Sequence, residues 1–197
     1  MKTGLAFNLI QELFSRTYAL TTGNEPYPLH SLIERDRRRF SPGSVLDIGC
    51  GSGRFAMAGC DYVGVDPNPK YIEYCRRHCP GRFEQMSGDR LTFPDGTFDM
   101  VLSFSVGHHL PDAPLSGTLS EARRVLRDDG VFIFVDVIRP IVGWKWAAAL
   151  LERLDEGDSF RTEDEYLALI GSRLAIAERE EIVDQFYRTL VLRCRKG

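Results

Sequence analysis

The stretch Val45-Leu46-Asp47-Ile48-Gly49-Cys50-Gly51-Ser52-Gly53 joins a short apolar run to three glycines at alternate positions. Val45, Leu46 and Ile48 suit a central parallel strand buried on both faces. Ligands of open α/β sheets bind beyond the carboxyl ends of such strands. Glycine has no Cβ, so a turn built from it reaches positive φ and lets backbone N–H groups approach a bound molecule closely. The pattern therefore predicts a nucleotide-type cofactor site around Asp47, Gly49, Gly51 and Gly53. A plain strand-to-helix turn is the alternative.

The spacing is G-x-G-x-G, whereas a pyrophosphate-binding turn wants G-x-G-x-x-G. Asp47, two residues before the first glycine, would repel a pyrophosphate and orient a cationic or amine-bearing ligand. The run D-I-G-C-G-S-G resembles the first motif of class I S-adenosylmethionine-dependent methyltransferases of the small-molecule type. The resemblance implies S-adenosyl-L-methionine as cofactor, with an ammonium, a sulfonium and a ribose but no phosphate. It also implies an α/β fold: a Rossmann-like three-layer αβα sandwich with a mostly parallel seven-stranded sheet and an antiparallel C-terminal hairpin.

Outward from the glycines, Tyr62-Val63-Gly64-Val65-Asp66 reads as a second buried strand closed by a carboxylate. Asp66 has the spacing at which Rossmann-like folds hold the two ribose hydroxyls, and its two oxygens suit two donors. Pro67 suits a first helical position, so Asp66 also reads as a helix N-cap, and the two roles are compatible. The linker from Gly53 to Tyr62 is short for a crossover helix and predicts one of about two turns.

Tyr71 to Cys79 forms the next predicted helix, where Cys75 and Cys79, with His78, read as a small buried face ahead of a metal site. Arg82 to Met86 is a third strand, followed by Ser87-Gly88-Asp89. Under the resemblance, Asp89 matches the acidic residue that bonds the adenine amino group; capping a turn is its alternative. Arg90 departs from the small residue usual at its position, and either leans over the adenine or points to solvent.

Phe98 to Ser103 is a fourth strand. The segment Phe104-Ser105-Val106-Gly107-His108-His109-Leu110-Pro111-Asp112 resembles the family's fourth motif, a loop that faces methyl donor and acceptor; this places Ser105 on the cofactor side. Gly107 stands where a bulkier apolar residue is common, which enlarges the acceptor pocket or loosens the loop. Methyl transfer from a sulfonium is an in-line displacement that needs alignment and no covalent nucleophile. A general base serves a hydroxyl, an acidic carbon or a protonated amine, and His108 is the first candidate for it or for orienting the acceptor. A hydrogen-bonded structural role is the alternative for His108. For His109, packing inward is the main expectation.

Leu115 to Arg127 is strongly periodic, with Asp128-Asp129-Gly130 as its stop, and Val131 to Val137 is a fifth strand. Asp136, near its end, is a second candidate base, with a surface turn carboxylate as its alternative. Residues 140–151, with Trp144 and Trp146, read as an apolar helix that packs on the sheet, lines an acceptor pocket or touches a lipid surface. Thr162-x-x-Glu165 is a capping box, and Leu174 to Val183 with Gln185 to Cys194 form the expected final hairpin.

Ahead of the first strand, Leu5 to Tyr18 and His30 to Phe40 are predicted helices. Arg35, Arg37, Arg38 and Arg39 read as a solvated face, with an anionic substrate or a membrane headgroup as the alternative. Tyr18 and His30 are weak candidates for ligand contacts. The 197 residues, 43% hydrophobic, suit one α/β domain. It divides into a cap at 1–43, a cofactor-binding core at 44–137 and an acceptor side at 138–197.

A formal net charge of −3 gives no basic field for nucleic acid. The loop after the fourth strand also lacks an Asn-Pro-Pro-aromatic or Asp-Pro-Pro-aromatic signature for a flipped base. Five cysteines without zinc or disulfide spacing suit a reducing compartment. With no apolar stretch of 18 residues and no export signal, the expectation is cytoplasmic, with peripheral membrane contact left open. The expected activity is methyl transfer to a small-molecule or lipid-linked acceptor. Alternatives are a non-catalytic cofactor-binding or scaffold module, a protein or RNA methyltransferase and, less favoured, an NAD-dependent oxidoreductase. The sequence assigns no oligomeric state.

Overall fold

Val45, Leu46 and Ile48 are buried at the middle of the sheet, in β1 (Ser44–Ile48). The computed structural model describes residues 28–139, 159–183 and 188–197. The order of elements is α1 (Pro28–Phe40), β1, β2 (Asp61–Asp66), α2 (Pro69–His78), β3 (Arg82–Gln85), β4 (Phe98–Phe104) and a 3-10 turn (Gly107–His109). Then follow α3 (Asp112–Val125), β5 (Leu126–Arg139), β6 (Arg161–Thr162), α4 (Glu163–Gly171), β7 (Ala175–Val183) and β8 (Arg188–Arg195).

The sheet runs β3-β2-β1-β4-β5-β8-β7, parallel from β3 to β5 and antiparallel in the last two pairings. Beyond the seven expected strands, two-residue β6 pairs with Ile138 and Arg139 at the far end of β5. Connections leave β1 leftward through β2 to β3, and resume on its other side at β4 and β5. The direction thus reverses between β1 and β4, and in open α/β sheets that reversal opens the ligand crevice.

Each face of the sheet has its own core. Leu32 and Ile33 of α1, and Ile72 and Cys75 of α2, pack with Val45, Met100, Ile133 and Val191 on one face. On the other, Leu115, Leu119, Ala122 and Val125 of α3 and Tyr166 and Ile170 of α4 pack with Leu46, Val101 and Phe134. This is the expected three-layer sandwich.

Three differences from the sequence reading have a physical cause in the chain. No helix follows the glycines: residues 53–60 form turns, with Gly53 N–H donating to Cys50 O and Ala56 N–H to Gly53 O. The segment must run back along a strand of about 17 Å, and eight helical residues would cover only about 12 Å. A looser chain makes the return, and Met57 is buried where helix side chains would sit. Helix α3 begins at Asp112, a turn early, because Pro114 stands in the first turn where its missing N–H is no loss. Strand β5 begins at Leu126 and takes in Asp128-Asp129-Gly130, with a register shift against β4 between Phe98 and Met100.

The capping box holds: Thr162 accepts from Glu165 N–H, and the Glu165 carboxylate accepts from Thr162 N–H. The α1 arginines are not simply a solvated face. Arg35 and Arg39 pair with Glu180 and Glu178 of β7, while Arg37 and Arg38 pair with Glu34. Between them, Asp36 meets Arg193 of β8 at 2.9 Å, both side chains buried. The Leu5 to Tyr18 helix, the apolar helix at 140–151 with Trp144 and Trp146, the turn between β7 and β8 and the side chain of His30 lie outside the described residues.

Candidate active site

The turn after β1 has the predicted backbone. Gly49, Gly51 and Gly53 all have positive φ, at 74°, 49° and 73°. Gly49 and Cys50 donate their N–H groups to Val65 O, tying the turn to β2. At Gly51 a Cβ would meet nothing within 4 Å, so its outer side opens on free space. Gly51 N–H donates to Asp66 Oδ2 at 3.0 Å, and Asn68 N–H donates to Oδ1 at 2.8 Å. Each carboxylate oxygen keeps a lone pair for another donor. Burial raises the Asp66 pKa, and the two N–H donors oppose the rise.

Asp66 is not the cap of α2. That role falls to Asn68, whose side chain accepts from Lys70 N–H, and Pro69, not Pro67, opens the helix. Pro67 is exposed, and its carbonyl accepts from Gln85 Nε2 at 3.2 Å.

Asp47 is buried on the α1–α2 face, and Tyr62 Oη donates to its Oδ2 at 2.5 Å. Its Oδ1 is buried with no hydrogen-bond partner among the described residues. Burial pushes the Asp47 carboxyl up to about 6, against the Tyr62 hydrogen bond. An unfilled buried acceptor, a second carboxylate one strand away and open space over Gly51 together suit a cationic ligand with a diol. They suit a phosphate poorly. The residues therefore fit S-adenosylmethionine, which carries both features and no phosphate.

Asp89 lies in the turn after β3. Ser87 Oγ donates to its Oδ1 at 2.5 Å, and its Cβ sits 2.9 Å from where a Cβ on Gly117 of α3 would be. Asp89 is half-buried and Arg90 exposed. Cys75 and Cys79 turn their sulfurs to the glycine turn, where Gly51 O and Ser52 O accept from them.

Beyond β4 the loop lies against the same turn, since a Cβ on Gly49 would fall 2.4 Å from Val106 Cγ2. Ser105 is exposed with φ of 54°, a strained backbone for a residue with a Cβ, and its N–H donates to Val135 O at 2.8 Å. His108 is buried, with Nδ1 2.5 Å from Asp136 Oδ1. Asp136 is fully buried and also accepts from the N–H groups of Gly107, His108 and Val137. With donors around the carboxylate, Nδ1 of His108 is assigned the proton it shares with Asp136.

This corrects the Asp136 reading: it is no surface turn carboxylate, and as a partner held by four donors it orients His108. Gly107 is corrected too. A Cβ there would sit 2.8 Å from Asp136 Oδ2 and 3.0 Å from both Phe134 and Tyr166, so the glycine neither widens a pocket nor loosens the loop. His109, expected to pack inward, is exposed, with its ring 4.1 Å from that of His108.

Phe160 stacks on His108 with ring centroids 5.1 Å apart. Arg161, buried, donates to the carbonyls of Gly107, Leu110 and Ser159 and to Asp112 Oδ1. Arg161 thus clamps the whole 107–112 loop. Sequence reasoning missed Arg161 and Phe160, which carry no motif. It also missed Tyr62, for which a signal exists: a hydroxyl inside a buried strand needs a partner, and the strand beside it carries Asp47.

Residues 46–134 match a methyltransferase domain model. An uncharacterized methyltransferase of Synechocystis is 33% identical over 141 residues, 66% of this chain and 64% of that protein. A fatty-acid O-methyltransferase of Mycolicibacterium smegmatis is 38% identical over 117 residues, 53% of this chain and 42% of that protein. The chain spans less than two thirds of the length of either relative. Among solved structures, the YcgJ protein of Bacillus subtilis superposes with a TM-score of 0.66 at 18% identity, over 84% of this chain and 98% of that one.

Proposed function

Because residues 46–134 match a methyltransferase domain model, we propose that this chain is a class I, S-adenosylmethionine-dependent methyltransferase that acts on a hydroxyl group of a small or lipid-linked acceptor. The observation that carries this reading is the buried His108–Asp136 pair on the loop that touches the glycine turn. Bound at that turn, S-adenosylmethionine supplies an electrophilic methyl carbon on a sulfonium leaving group. The chain's own residues would do the rest. Asp47 and Asp66 hold the ammonium and the ribose, with Asp89 beside the adenine.

A hydroxyl is a poor nucleophile until its proton leaves, so an oriented imidazole has a purpose here that it would lack for an unprotonated amine. His108 takes that proton on Nε2, and Asp136 stabilises the resulting imidazolium as a full charge beside it. The fatty-acid O-methyltransferase relative lends support to oxygen as acceptor atom and to a lipid chain on the acceptor.

Calorimetry with S-adenosylmethionine, S-adenosylhomocysteine and NAD, followed by a labelled-methyl assay over hydroxy fatty acids and phenols, tests the proposal. Binding of the first two ligands and label on oxygen are expected. Binding of NAD alone, or label on nitrogen or carbon acceptors only, would overturn it.

A further inference from the structure

We propose that Tyr62 is a positioning residue for the cofactor's ammonium: its hydroxyl holds one oxygen of Asp47 and so presents the other to the ligand. The inference rests on the reading of the glycine turn as the S-adenosylmethionine site. Register puts Tyr62 opposite Val45 and Gly64 opposite Asp47, so no side chain at 64 stands between the phenol and the carboxylate on their shared face. The hydroxyl reaches Oδ2 at 2.5 Å, and Tyr62 itself is buried with no room to swing away.

Oδ1 is left as a buried acceptor without a partner among the described residues. Leaving such a group unsatisfied is unfavourable, and a bound ammonium removes that cost. A free Asp rotamer would let either oxygen turn to the ligand or away from it. With Oδ2 fixed, the orientation of Oδ1 is set before the ligand arrives, which cuts the ordering cost of binding.

The same hydrogen bond sets the charge state. Groups facing Asp47 are Tyr62 and Asp66 from β2, Cys50 from the turn and Cys75 from α2. Burial pushes the Tyr62 hydroxyl and the Cys50 thiol far up and the Cys75 thiol up to about 12, so all three stay neutral through the physiological range. Asp47 and Asp66 remain as the groups whose charge can change, both raised by burial. Removing the Tyr62 donor takes away the one contact among the described residues that favours ionised Asp47, so its titration must move upward.

The experiment compares wild type, Tyr62→Phe and Asp47→Asn. Asp47 is followed by carboxyl-carbon NMR in the ligand-free protein, and S-adenosylmethionine binding by calorimetry at pH 6 and pH 8. The ligand's own amino titration cancels in the variant-to-wild-type ratio at each pH. For Tyr62→Phe the Asp47 midpoint rises by about one unit; the Kd ratio is at least about threefold at pH 8, where Asp47 is ionised in both proteins and lost positioning alone acts, and about fivefold larger again at pH 6. For Asp47→Asn the ratio is large at both pH values.

An unmoved Asp47 midpoint, a Tyr62→Phe ratio of about one at pH 8, or Asp47→Asn binding like wild type would each overturn the inference. Wild type that binds no S-adenosylmethionine at pH 8 would instead overturn the cofactor reading, and this inference with it. Should Tyr62→Phe fail to fold, wild type still decides: the Tyr62 Cζ resonance must follow the Asp47 titration and persist in its bonded position in the S-adenosylmethionine complex, and a Cζ resonance blind to both would overturn the inference.

Discussion

Asp136 on β5 meets His108, 28 residues earlier in the chain, at 2.5 Å between Oδ1 and Nδ1, with both side chains buried. The carboxylate is anchored by backbone N–H groups from both partners' segments, so the imidazole is held to a fixed frame. If the pair acts as one unit, its members' losses will not add. His108→Ala and Asp136→Asn are each expected to lower kcat about 100-fold on the true acceptor. The double variant should be no more than about threefold worse than either, and S-adenosylmethionine Kd should stay within about twofold. Multiplicative losses in steady-state kinetics would mean two independent structural roles.

Gly51 and Gly107 should respond to the same substitution in opposite ways. Gly51→Ala places its Cβ in the open space over the turn, at φ of 49°. The fold loses about 1–2 kcal/mol for the left-handed backbone, while S-adenosylmethionine Kd rises at least about tenfold. Gly107→Ala drives a Cβ into Asp136, Phe134 and Tyr166, costing about 1–3 kcal/mol and displacing the His108 frame. Kd is expected to hold there while kcat falls. Thermal unfolding and calorimetry on both variants check the crossed pattern, and matched Kd changes would contradict it.

Arg161 satisfies two loop carbonyls, the Ser159 carbonyl and Asp112 with one planar guanidinium. Arg161→Met removes every donor while keeping much of the packing volume, so the carbonyls of Leu110 and Ser159 lose the Arg161 donor and Gly107 O keeps only Leu110 N–H among the described residues. Amide exchange over residues 107–112 should accelerate at least about tenfold, with β1 and β4 unchanged. Arg161→Lys is expected to recover only part of the protection, because a single ammonium cannot match the fork. Equal exchange in Arg161→Met and wild type would remove the clamp.

What the sequence made legible follows from locality. Val45, Leu46 and Ile48, the three glycines and Asp66 all act within one strand–turn–strand unit, where spacing fixes geometry. The Thr162–Glu165 box is likewise a matter of three residues. The crossover helix failed because its existence depends on how far β2 starts from the turn, a distance that strand packing sets. Asp136 was misjudged for a related reason: a carboxylate near a strand end reads as a surface residue until β4's loop folds its N–H groups over it.

The same holds for the α1 arginines. Arg39 and Glu178 are 139 residues apart, and Asp36 and Arg193 are 157 apart, so no periodicity could announce their pairing. Asp36→Ala would leave the buried Arg193 guanidinium with only its Glu180 and Glu178 contacts. Stripping one partner from a buried ion pair costs about 3–5 kcal/mol, and denaturant unfolding should show a loss toward that size. Asp36→Ala in a chain already carrying Arg193→Met should cost much less. Equal losses in the two backgrounds would mean that the pair is not coupled.

Asp47 ties stability to pH with a sign opposite to the usual carboxylate. Burial raises it from the ordinary 3.8 to about 6 in the folded chain. A raised carboxyl stabilises the fold fully below the unfolded value, and that contribution is lost as pH rises through the folded one. About two pKa units correspond to about 3 kcal/mol, lost between about pH 4 and pH 7. Asp66, also raised, adds in the same direction, so the wild-type slope alone does not isolate Asp47. Asp47→Asn does, because it cannot titrate. Scanning calorimetry of the ligand-free proteins from pH 4.5 to pH 7.5 should show wild type losing Tm relative to Asp47→Asn. Saturating S-adenosylmethionine should reverse the trend for wild type only, since the bound ammonium favours ionised Asp47. Parallel Tm curves for the two proteins would place the Asp47 titration in its ordinary range and remove the strained-carboxylate account of the site.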